Sequence, residues 1–196
     1  MFTGIVEELV EVVALDGADK GTRIVVKNEF DEVPRIGDSI AVNGVCLTVV
    51  ENGGAELAFD AVYETMQRSN LGDLVVGSRV NLERPMRADG RFDGHVVQGH
   101  VDGRGTLVAR TAEGESDRLR VELGTDLARY VVEKGSITVD GISLTVTDVG
   151  PDWFEFIVIP HTLEVTTLGS KELGERVNLE VDVIAKYVER LLEGHS

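Results

Sequence analysis

The sequence predicts an all-β protein: two duplicated six-stranded antiparallel Greek-key barrels followed by a C-terminal amphipathic α-helix. Three observations lead to this prediction. The chain repeats itself at an offset of 97 residues, each copy is divided into short β-branched runs by turn residues, and the last segment has helical periodicity. Closed barrels are preferred to a sandwich, the competing architecture, because closure removes exposed strand edges.

The repeat is clearest in two blocks that align without gaps. Residues 39–49 read SIAVNGVCLTV and residues 136–146 read SITVDGISLTV, identical at 7 of 11 positions. Residues 77–83 read GSRVNLE and residues 174–180 read GERVNLE. Chance similarity between β-rich segments would not keep one offset in two separate blocks, so the chain is interpreted as two copies of one domain.

Single matches, such as Arg23 with Arg120, extend the same register towards the N-terminus. The copies join in a stretch rich in Gly, Pro, Asp and Arg, which has turn chemistry. We therefore expect the first barrel over residues 1–88, the second over 95–182, and the helix and tail over 183–196.

Each copy is expected to contain about six strands and no internal helix. The 22 glycines and the 5% aromatic content favour a turn-rich β protein over a helical bundle. The dipeptides Asn43-Gly44 and Asp140-Gly141 stand at the same place in both copies, between alternating residues. Such dipeptides supply the positive φ angles of tight hairpins, so a hairpin is predicted at each.

The last segment has the spacing of an amphipathic helix that begins after Asp182, a suitable N-cap. Its apolar stripe consists of Val183, Ile184, Tyr187, Val188, Leu191 and Leu192. The helix has no counterpart in the first copy. Its stripe must be buried either on its own chain or in a bundle of such helices from several chains.

The composition excludes several functional classes. Thirty-five acidic against 19 basic residues give a net charge of -16, which a nucleic-acid backbone would repel. One cysteine and four histidines provide neither a disulfide framework nor a metal signature. Glutamates interrupt the apolar stretch from Ile5 to Leu15, and no basic segment precedes it. Neither a signal peptide nor a membrane span is expected, and the expected location is the cytoplasm.

Four motifs together resemble riboflavin synthases of the α-chain type over nearly the whole chain. They are MFTGIVE at the N-terminus, the two SxxxxGxxLTV blocks, GHVVQGH at 94–100 and IPHTLE at 159–164. The resemblance implies two similar barrels, a homotrimer assembled by the C-terminal helix, and lumazine synthase as a candidate partner. It also implies a dismutation without cofactor or metal. Two molecules of 6,7-dimethyl-8-ribityllumazine exchange a four-carbon unit, giving riboflavin and 5-amino-6-(ribitylamino)uracil.

The duplication itself agrees with such a reaction, because joining two identical molecules requires two similar surfaces. Donor and acceptor must nevertheless be told apart, and the copies differ at polar positions within matching blocks. At the 97-residue offset the differing pairs are Cys46 and Ser143, Asn43 and Asp140, Glu64 and His161, and Thr3 and His100.

The resemblance implies four catalytic residues: Cys46, His100, Ser39 and Phe2. From the residues alone, Cys46 is either a small core residue or a site residue, and it shares the alternating face of Thr48. No covalent thioether intermediate is inferred. The His100 imidazole is suited to shuttle the proton lost from a substrate methyl group, the alternative being a structural histidine. Phe2 is expected beside a bound ring.

Hydroxyls at repeat-related positions are suited to hydrogen-bond the pyrimidine edge and the ribityl chain of the substrate. They belong to Thr48, Thr65, Ser143, Thr145 and Thr162. The high β-propensity of threonine also explains a threonine in a strand without any role in binding. Asp140 is either a turn residue or a site residue, and Lys134 either reaches a neighbouring chain's ligand or is an exposed turn residue. The implied substrate-binding residues are Thr3, Gly4, Ile5, Val6, Leu47, Thr48, Asp60, Ala61, Val62, Tyr63, Glu64, Thr65, Gly99, Val101, Lys134, Asp140, Ser143, Leu144, Thr145, Val158, Ile159, Pro160, His161, Thr162 and Leu163.

Two other functions are weighed against this one. A non-catalytic lumazine-binding antenna would not need the polar set in both copies. A flavin-binding module of an oxidoreductase would be followed by a nucleotide-binding domain, and no GxGxxG fingerprint is present. Among the other histidines, His95 is expected to be structural, His161 to contribute through its backbone, and His195 to be solvated in the tail.

Overall fold

The computed structural model describes residues 1–18 and 21–193, so His195 lies outside the described residues. The first half contains β1 Glu8–Ala18, β2 Gly21–Lys27, β3 Ser39–Val42, β4 Val45–Asn52, β5 Glu56–Val62 and β6 Arg79–Glu83. The second half contains β7 Gly103–Glu113, β8 Ser116–Glu122, β9 Ser136–Val139, β10 Ile142–Val149, β11 Trp153–Val158 and β12 Arg176–Val181. The helices of the described chain are α1 Tyr63–Arg68, α2 Thr125–Ala128, α3 Pro160–Val165 and α4 Val183–Glu193.

Both halves close into six-stranded antiparallel barrels. The strand order around the first barrel is β1-β2-β5-β4-β3-β6, and the second barrel repeats it as β7-β8-β11-β10-β9-β12. Closure pairs β1 with β6 and β7 with β12, so neither barrel has a free strand edge. The predicted barrels are confirmed, and the sandwich is wrong.

Each barrel has its own apolar core, and in the central hairpin strands β4 and β10 buried and outward-facing residues alternate. In β4 the side chains of Val45, Leu47 and Val49 point inward, while Cys46 and Thr48 point outward. β10 shows the same burial pattern as β4. The polar face of this hairpin therefore lies on the outside of the barrel, where a ligand can reach it.

The repeat does not keep a single offset. Strands β1 and β2 correspond to β7 and β8 at an offset of 95 residues, and the offset becomes 97 only from β3 onward. The cause is the connection before the third strand, which has 11 residues in the first half and 13 in the second, where it contains α2. The match of Arg23 with Arg120 is therefore wrong, because Arg118 occupies the position equivalent to Arg23.

The expectation of no internal helix is also wrong. A six-residue helix follows the fifth strand of each barrel, α1 in the first half and α3 in the second. None of the residues in α1 and α3 is buried, so these helices leave no apolar stripe in the sequence. They nevertheless shape the rim next to the outer hairpin face.

The predicted hairpin turns are confirmed and meet each other between the barrels. Asn43, Gly44, Asp140 and Gly141 have φ angles of 46°, 78°, 49° and 80°, as a tight hairpin requires. A Cβ atom built on Gly44 would lie 2.7 Å from the backbone nitrogen of Gly141, and the reverse distance is the same. Only glycine permits this close contact of the two tips.

Reciprocal hydrogen bonds hold the barrels together. The side-chain amide of Asn81 donates to the carbonyl of Asp140 at 2.9 Å, and that of Asn178 donates to the carbonyl of Asn43 at 2.8 Å. In addition, the backbone N–H of Thr167 donates to Asn81 Oδ1 at 2.8 Å. Reciprocal contacts of this kind relate two similar units by an approximate two-fold axis.

Helix α4 forms where the sequence predicts it. The Asp182 carboxylate accepts a hydrogen bond from the Ile184 N–H at 2.9 Å, as an N-cap does. The polar face contacts the second barrel, with Lys186 Nζ 2.6 Å from an Asp102 oxygen. The apolar stripe stays exposed, at 59% for Ile184 and 67% for Tyr187, so the alternative of burial on its own chain is not supported. No helix in the described residues is long and apolar enough to cross a membrane.

Candidate functional site

Two short segments, here called the leading segments, cross from one half of the molecule to the other. The first is residues 1–7, before β1, and the second is residues 96–102, before β7. In the first segment, the carbonyl of Gly4 accepts a hydrogen bond from the Ser143 N–H of the second barrel at 2.7 Å. In the second segment, the carbonyl of Gly99 accepts from the Cys46 N–H of the first barrel at 2.9 Å. Each outer hairpin face is therefore completed by the leading segment of the other copy.

This crossing fixes which residues of the two segments are equivalent. Gly4 and Gly99 have φ angles of 78° and 77° and make the same contact, so they correspond at an offset of 95. Ile5 therefore corresponds to His100, and the expected equivalence of Thr3 with His100 is wrong. Imidazole against an aliphatic side chain is a larger chemical difference between the two surfaces than the sequence comparison suggested.

A cavity of about 390 Å³ opens where the second leading segment meets the first barrel. Six predicted site residues line it: Cys46, Glu64, Thr65, Gly99, His100 and Val101. Sequence reasoning missed the other lining residues, which are Val45, Arg68, Ser69 and Asp102. The cavity combines a thiol, hydroxyls, two carboxylates, a guanidinium and an imidazole, a set suited to a polar heterocycle with a polyol chain.

Cys46 lies on the outer face of its barrel, in partial contact with solvent. It packs against a small cluster between the barrels formed by Phe2, Ala41 and Val97. The interpretation of Cys46 as a barrel-core residue is therefore wrong. Phe2 is completely buried in this cluster and bridges Val97 by backbone hydrogen bonds. Its ring therefore does not line the cavity but lies behind Gly99, where a built Cβ atom would be 3.0 Å from it, and its place beside a bound ring stays a prediction.

In the second half, Ser143 takes the place of Cys46 and has a histidine as its neighbour. The His95 Nδ1 atom lies 2.7 Å from Ser143 Oγ, and the backbone N–H of His95 donates to the carbonyl of Thr3. Burial lowers the pKa of the His95 imidazole, against the opposing effect of Asp182. The ring is therefore neutral near pH 7. Sequence reasoning did not predict this contact, because His95 belongs to neither aligned block.

Ser39 lies two residue pairs away from Cys46 along the outer hairpin. It pairs with Thr48 in the β3–β4 ladder, and Ser136 pairs with Thr145 at the equivalent place. Ser39 lines a second cavity of about 560 Å³ together with Thr3 and Ile5, rather than the cavity beside Cys46. The predicted residues of the first half are thus divided between two neighbouring cavities.

Several predicted binding residues point into the barrels. Leu47 and Ala61 belong to the first core, and Leu144 and Val158 belong to the second. Their side chains are buried, so only their backbone groups are available to a ligand. Strand alternation alone explains this outcome, since each lies next to an outward-facing candidate.

The remaining predicted residues lie where the fifth strand of each barrel ends and the short helix begins. In the first half, Asp60 pairs with Arg23 at 2.8 Å, and this hydrogen bond lowers the pKa of the Asp60 carboxyl. Val62 and Tyr63 are exposed. The exposed or half-buried residues at the equivalent corner of the second half are Ile159, Pro160, His161, Thr162 and Leu163. Val6 is half-buried and packs against the second core.

Asp140 and Lys134 lie apart from the first cavity. The Asp140 carboxylate is fully buried between the barrels and accepts hydrogen bonds from Asn178 N–H and the Asn70 side chain. Lys171 Nζ is 3.3 Å from its other oxygen. Burial raises the pKa of Asp140, and Lys171 opposes that effect. Lys134 is exposed in a turn with φ 62°, which leaves its side chain accessible to another molecule.

Comparison with known proteins gives a consistent result. The model of the lumazine binding domain matches residues 3–85 and again residues 98–182. A riboflavin synthase of Mycobacterium tuberculosis strain H37Rv is 54% identical over 197 residues, covering 98% of both chains. A riboflavin synthase of Bacillus subtilis strain 168 is 40% identical over 193 residues, covering 98% of this chain and 90% of its own.

Solved structures share the fold. The structure of LumP complexed with 6,7-dimethyl-8-(1'-D-ribityl)lumazine has a TM-score of 0.83 and 25% sequence identity, and the match covers 92% of this chain and 99% of that one. The structure of LumP complexed with riboflavin has a TM-score of 0.84 and 26% identity over the same shares. Two-barrel chains with this strand arrangement therefore include proteins crystallised with the lumazine and with the flavin.

Proposed function

The chain belongs to the riboflavin synthase family, a family of transferases, and we propose that its crossed hairpin faces are the two half-sites of the reaction. The reaction is the dismutation of two 6,7-dimethyl-8-ribityllumazine molecules to riboflavin and 5-amino-6-(ribitylamino)uracil. One observation carries the proposal. The Cys46–Gly99 and Ser143–Gly4 contacts repeat the same geometry with different neighbouring side chains.

Similar but non-identical half-sites suit this chemistry. The two products together contain all the atoms of two substrate molecules, so the reaction requires no external oxidant or reductant. A four-carbon unit leaves the donor and joins the acceptor. The two substrate molecules must therefore be held differently, so that one always donates and the other always accepts. Cys46 with His100 on one face, and Ser143 with His95 on the other, provide that difference.

The side chains in the first half-site have distinct proposed roles. His100 accepts the proton lost from a substrate methyl group, since an imidazole is an effective base near neutral pH. Thr65 supplies a hydroxyl for the ribityl chain, Ser69 stays bonded to the Thr65 carbonyl through its own hydroxyl, and Arg68 and Glu64 lie at the rim. Cys46 contacts the ring at the cavity floor. In the second half-site, Ser143, Thr145 and Thr162 have the corresponding binding roles.

The direct test of enzyme against binding protein is to mix the purified chain with 6,7-dimethyl-8-ribityllumazine alone. Riboflavin absorbance is expected to appear without any added cofactor. Lumazine that is bound and stays unchanged would instead indicate a non-catalytic binding protein. The repeat-related hydroxyls at Ser143, Thr145 and Thr162 favour turnover, because a binder with one site per chain has no need of a second polar set.

We further propose that the chain forms a homotrimer through α4, in which the first barrel of one chain faces the second barrel of a neighbour. The exposed Ile184, Tyr187, Val188 and Leu192 side chains support this assembly, because an apolar stripe of this size on one helix is typical of an interface. Residues 1–88 and 95–182 are the proposed binding units. A complex with lumazine synthase and a cytoplasmic location stay predictions.

Truncation after Asp182 is expected to give a folded chain of lower oligomeric order. The barrels close without α4, so their cores stay intact when the stripe is removed. Light scattering measures the mass, and far-ultraviolet circular dichroism measures the fold. Full-length protein carrying Glu56→Gln, an exposed change in β5 of the first barrel, is the control. An unchanged mass after truncation would exclude α4 from the assembly.

A further inference from the structure

Two buried carboxylates lie at equivalent positions at the ends of the sixth strands. Glu83 in β6 is 5% exposed, and Glu180 in β12 is 3% exposed. The proposed chemistry uses neither of them. Burying a carboxylate is unfavourable unless hydrogen bonds replace its lost hydration, so the contacts of these two groups show what they do.

The Glu180 carboxylate binds the second leading segment on both sides of Gly99. Its Oε1 accepts a hydrogen bond from the Gln98 N–H at 2.7 Å, and its Oε2 accepts from the His100 N–H at 2.9 Å. The carbonyl of Gly99, between them, accepts from the Cys46 N–H. One carboxylate of the second barrel therefore fixes the segment that carries His100 to the first half-site.

The Glu83 carboxylate binds the first leading segment in the same way. Its Oε1 accepts from the Thr3 N–H at 2.7 Å and from the Thr3 hydroxyl at 3.0 Å. The Gly4 N–H donates to both oxygens, at 3.2 and 3.1 Å. The carbonyl of Gly4 in turn accepts from the Ser143 N–H.

The Glu83 and Glu180 carboxylates, here called the anchors, bind the leading segments through hydrogen bonds that depend on their negative charge. Hydrogen bonds from N–H groups to a carboxylate are about twice as strong as those to a neutral acceptor. Burial raises the pKa of Glu83 to about 6, and it also raises the pKa of Glu180, while the segment N–H groups oppose both shifts. A glutamine at either position would retain the shape but would turn an amide NH₂ towards a backbone donor.

We propose that Glu83 and Glu180 are positioning residues, each of which sets one leading segment against the hairpin of the opposite half-site. Glu180 places His100 and Gly99 beside Cys46, and Glu83 places Gly4 beside Ser143. The two half-sites can therefore be perturbed separately, by Glu180 from outside the cavity beside Cys46 and by Glu83 from the edge of the cavity of about 560 Å³ that Thr3 and Ile5 line. The turnover readout rests on the proposed function, whereas the binding readout does not.

The test compares Glu180→Gln and Glu83→Gln with Glu155→Gln. Glu155 is a matched control because it is 9% exposed and is held by Arg118 and Arg120 on the barrel wall, away from the leading segments. Turnover number, KM and thermal midpoint are measured for each, together with riboflavin binding by fluorescence quenching. Wild-type turnover in the same assay checks the proposed function independently.

Each anchor variant is expected to lose about 10-fold to 100-fold in turnover number, with a thermal midpoint no lower than that of Glu155→Gln. Glu155→Gln should keep wild-type turnover. In Glu180→Gln, riboflavin binding should weaken at the half-site beside Cys46. In Glu83→Gln, it should weaken at the half-site beside Ser143. Wild-type turnover and binding in both anchor variants, or losses that only follow the thermal midpoint, would overturn the proposal. If wild-type protein shows no turnover, the binding comparison alone decides.

Discussion

Replacing Gly99 with alanine is expected to lower turnover by about 100-fold while the barrels stay folded. Gly99 has φ 77°, and a Cβ atom there would lie 2.7 Å from the Cys46 Cβ atom and 3.0 Å from the Phe2 ring. The leading segment must then move away from the hairpin, which breaks the Cys46 N–H to Gly99 carbonyl hydrogen bond and displaces His100. A positioning error of about 1 Å is enough for a loss of this size.

The control for backbone strain in this experiment is Gly114→Ala. Gly114 also has a positive φ, 65°, but a Cβ atom there would meet nothing within 4 Å. Both variants carry the left-handed strain of about 1–2 kcal/mol, and only Gly99→Ala displaces the site. Steady-state kinetics and thermal unfolding separate the two effects. Equal turnover in the two variants would show that the Gly99 contact does not shape the half-site.

Replacing Lys171 with leucine is expected to lower the free energy of unfolding by about 3–5 kcal/mol. The Lys171 ammonium lies 3.3 Å from the fully buried Asp140 carboxylate, which without this cationic partner must either carry an uncompensated buried charge or take up a proton. Burial already raises the Asp140 pKa, and removing Lys171 raises it further. The folded state then binds a proton more readily than the unfolded state does, so the variant becomes less stable as pH rises.

The first half of the molecule provides the compensating change. At the 97-residue offset, Asn43 and Leu74 stand where the second half has Asp140 and Lys171. The double variant Asp140→Asn with Lys171→Leu should therefore recover most of the lost stability, since no buried charge remains. Urea unfolding at pH 6 and pH 8 measures both variants. If Lys171→Leu alone were as stable as wild type at pH 8, the ion pair between Lys171 and Asp140 would not stabilise the fold as expected here.

The barrels and the terminal helix could be predicted because their signals are local. Alternation along strands, the Asn43-Gly44 and Asp140-Gly141 turns, and the stripe after Asp182 each depend on neighbouring residues. The alternation also predicts that the site lies on the outer side of the barrel. Val45 and Leu47 are more apolar than Cys46, so the outward placement of Cys46 follows from the same pattern.

The features that sequence reasoning missed depend on long-range placement. The 95-residue offset of the first two strands is invisible in the identity blocks, which all lie from β3 onward. The crossing of the leading segments brings Gly99 to Cys46 and Gly4 to Ser143, and no periodicity predicts which barrel a connecting segment will contact. The candidate residues came from the family resemblance, while the structure divided them between cavities, barrel cores and the interface.

The proposed function requires two substrate molecules to react with each other on paired half-sites. The direct measurement is product stoichiometry in a reaction that contains only the purified chain and 6,7-dimethyl-8-ribityllumazine, with both products quantified by chromatography. We expect two lumazine molecules to disappear for each riboflavin and each 5-amino-6-(ribitylamino)uracil formed. Lumazine that stays bound and unconverted, or riboflavin formed without the uracil product, would contradict the proposed function.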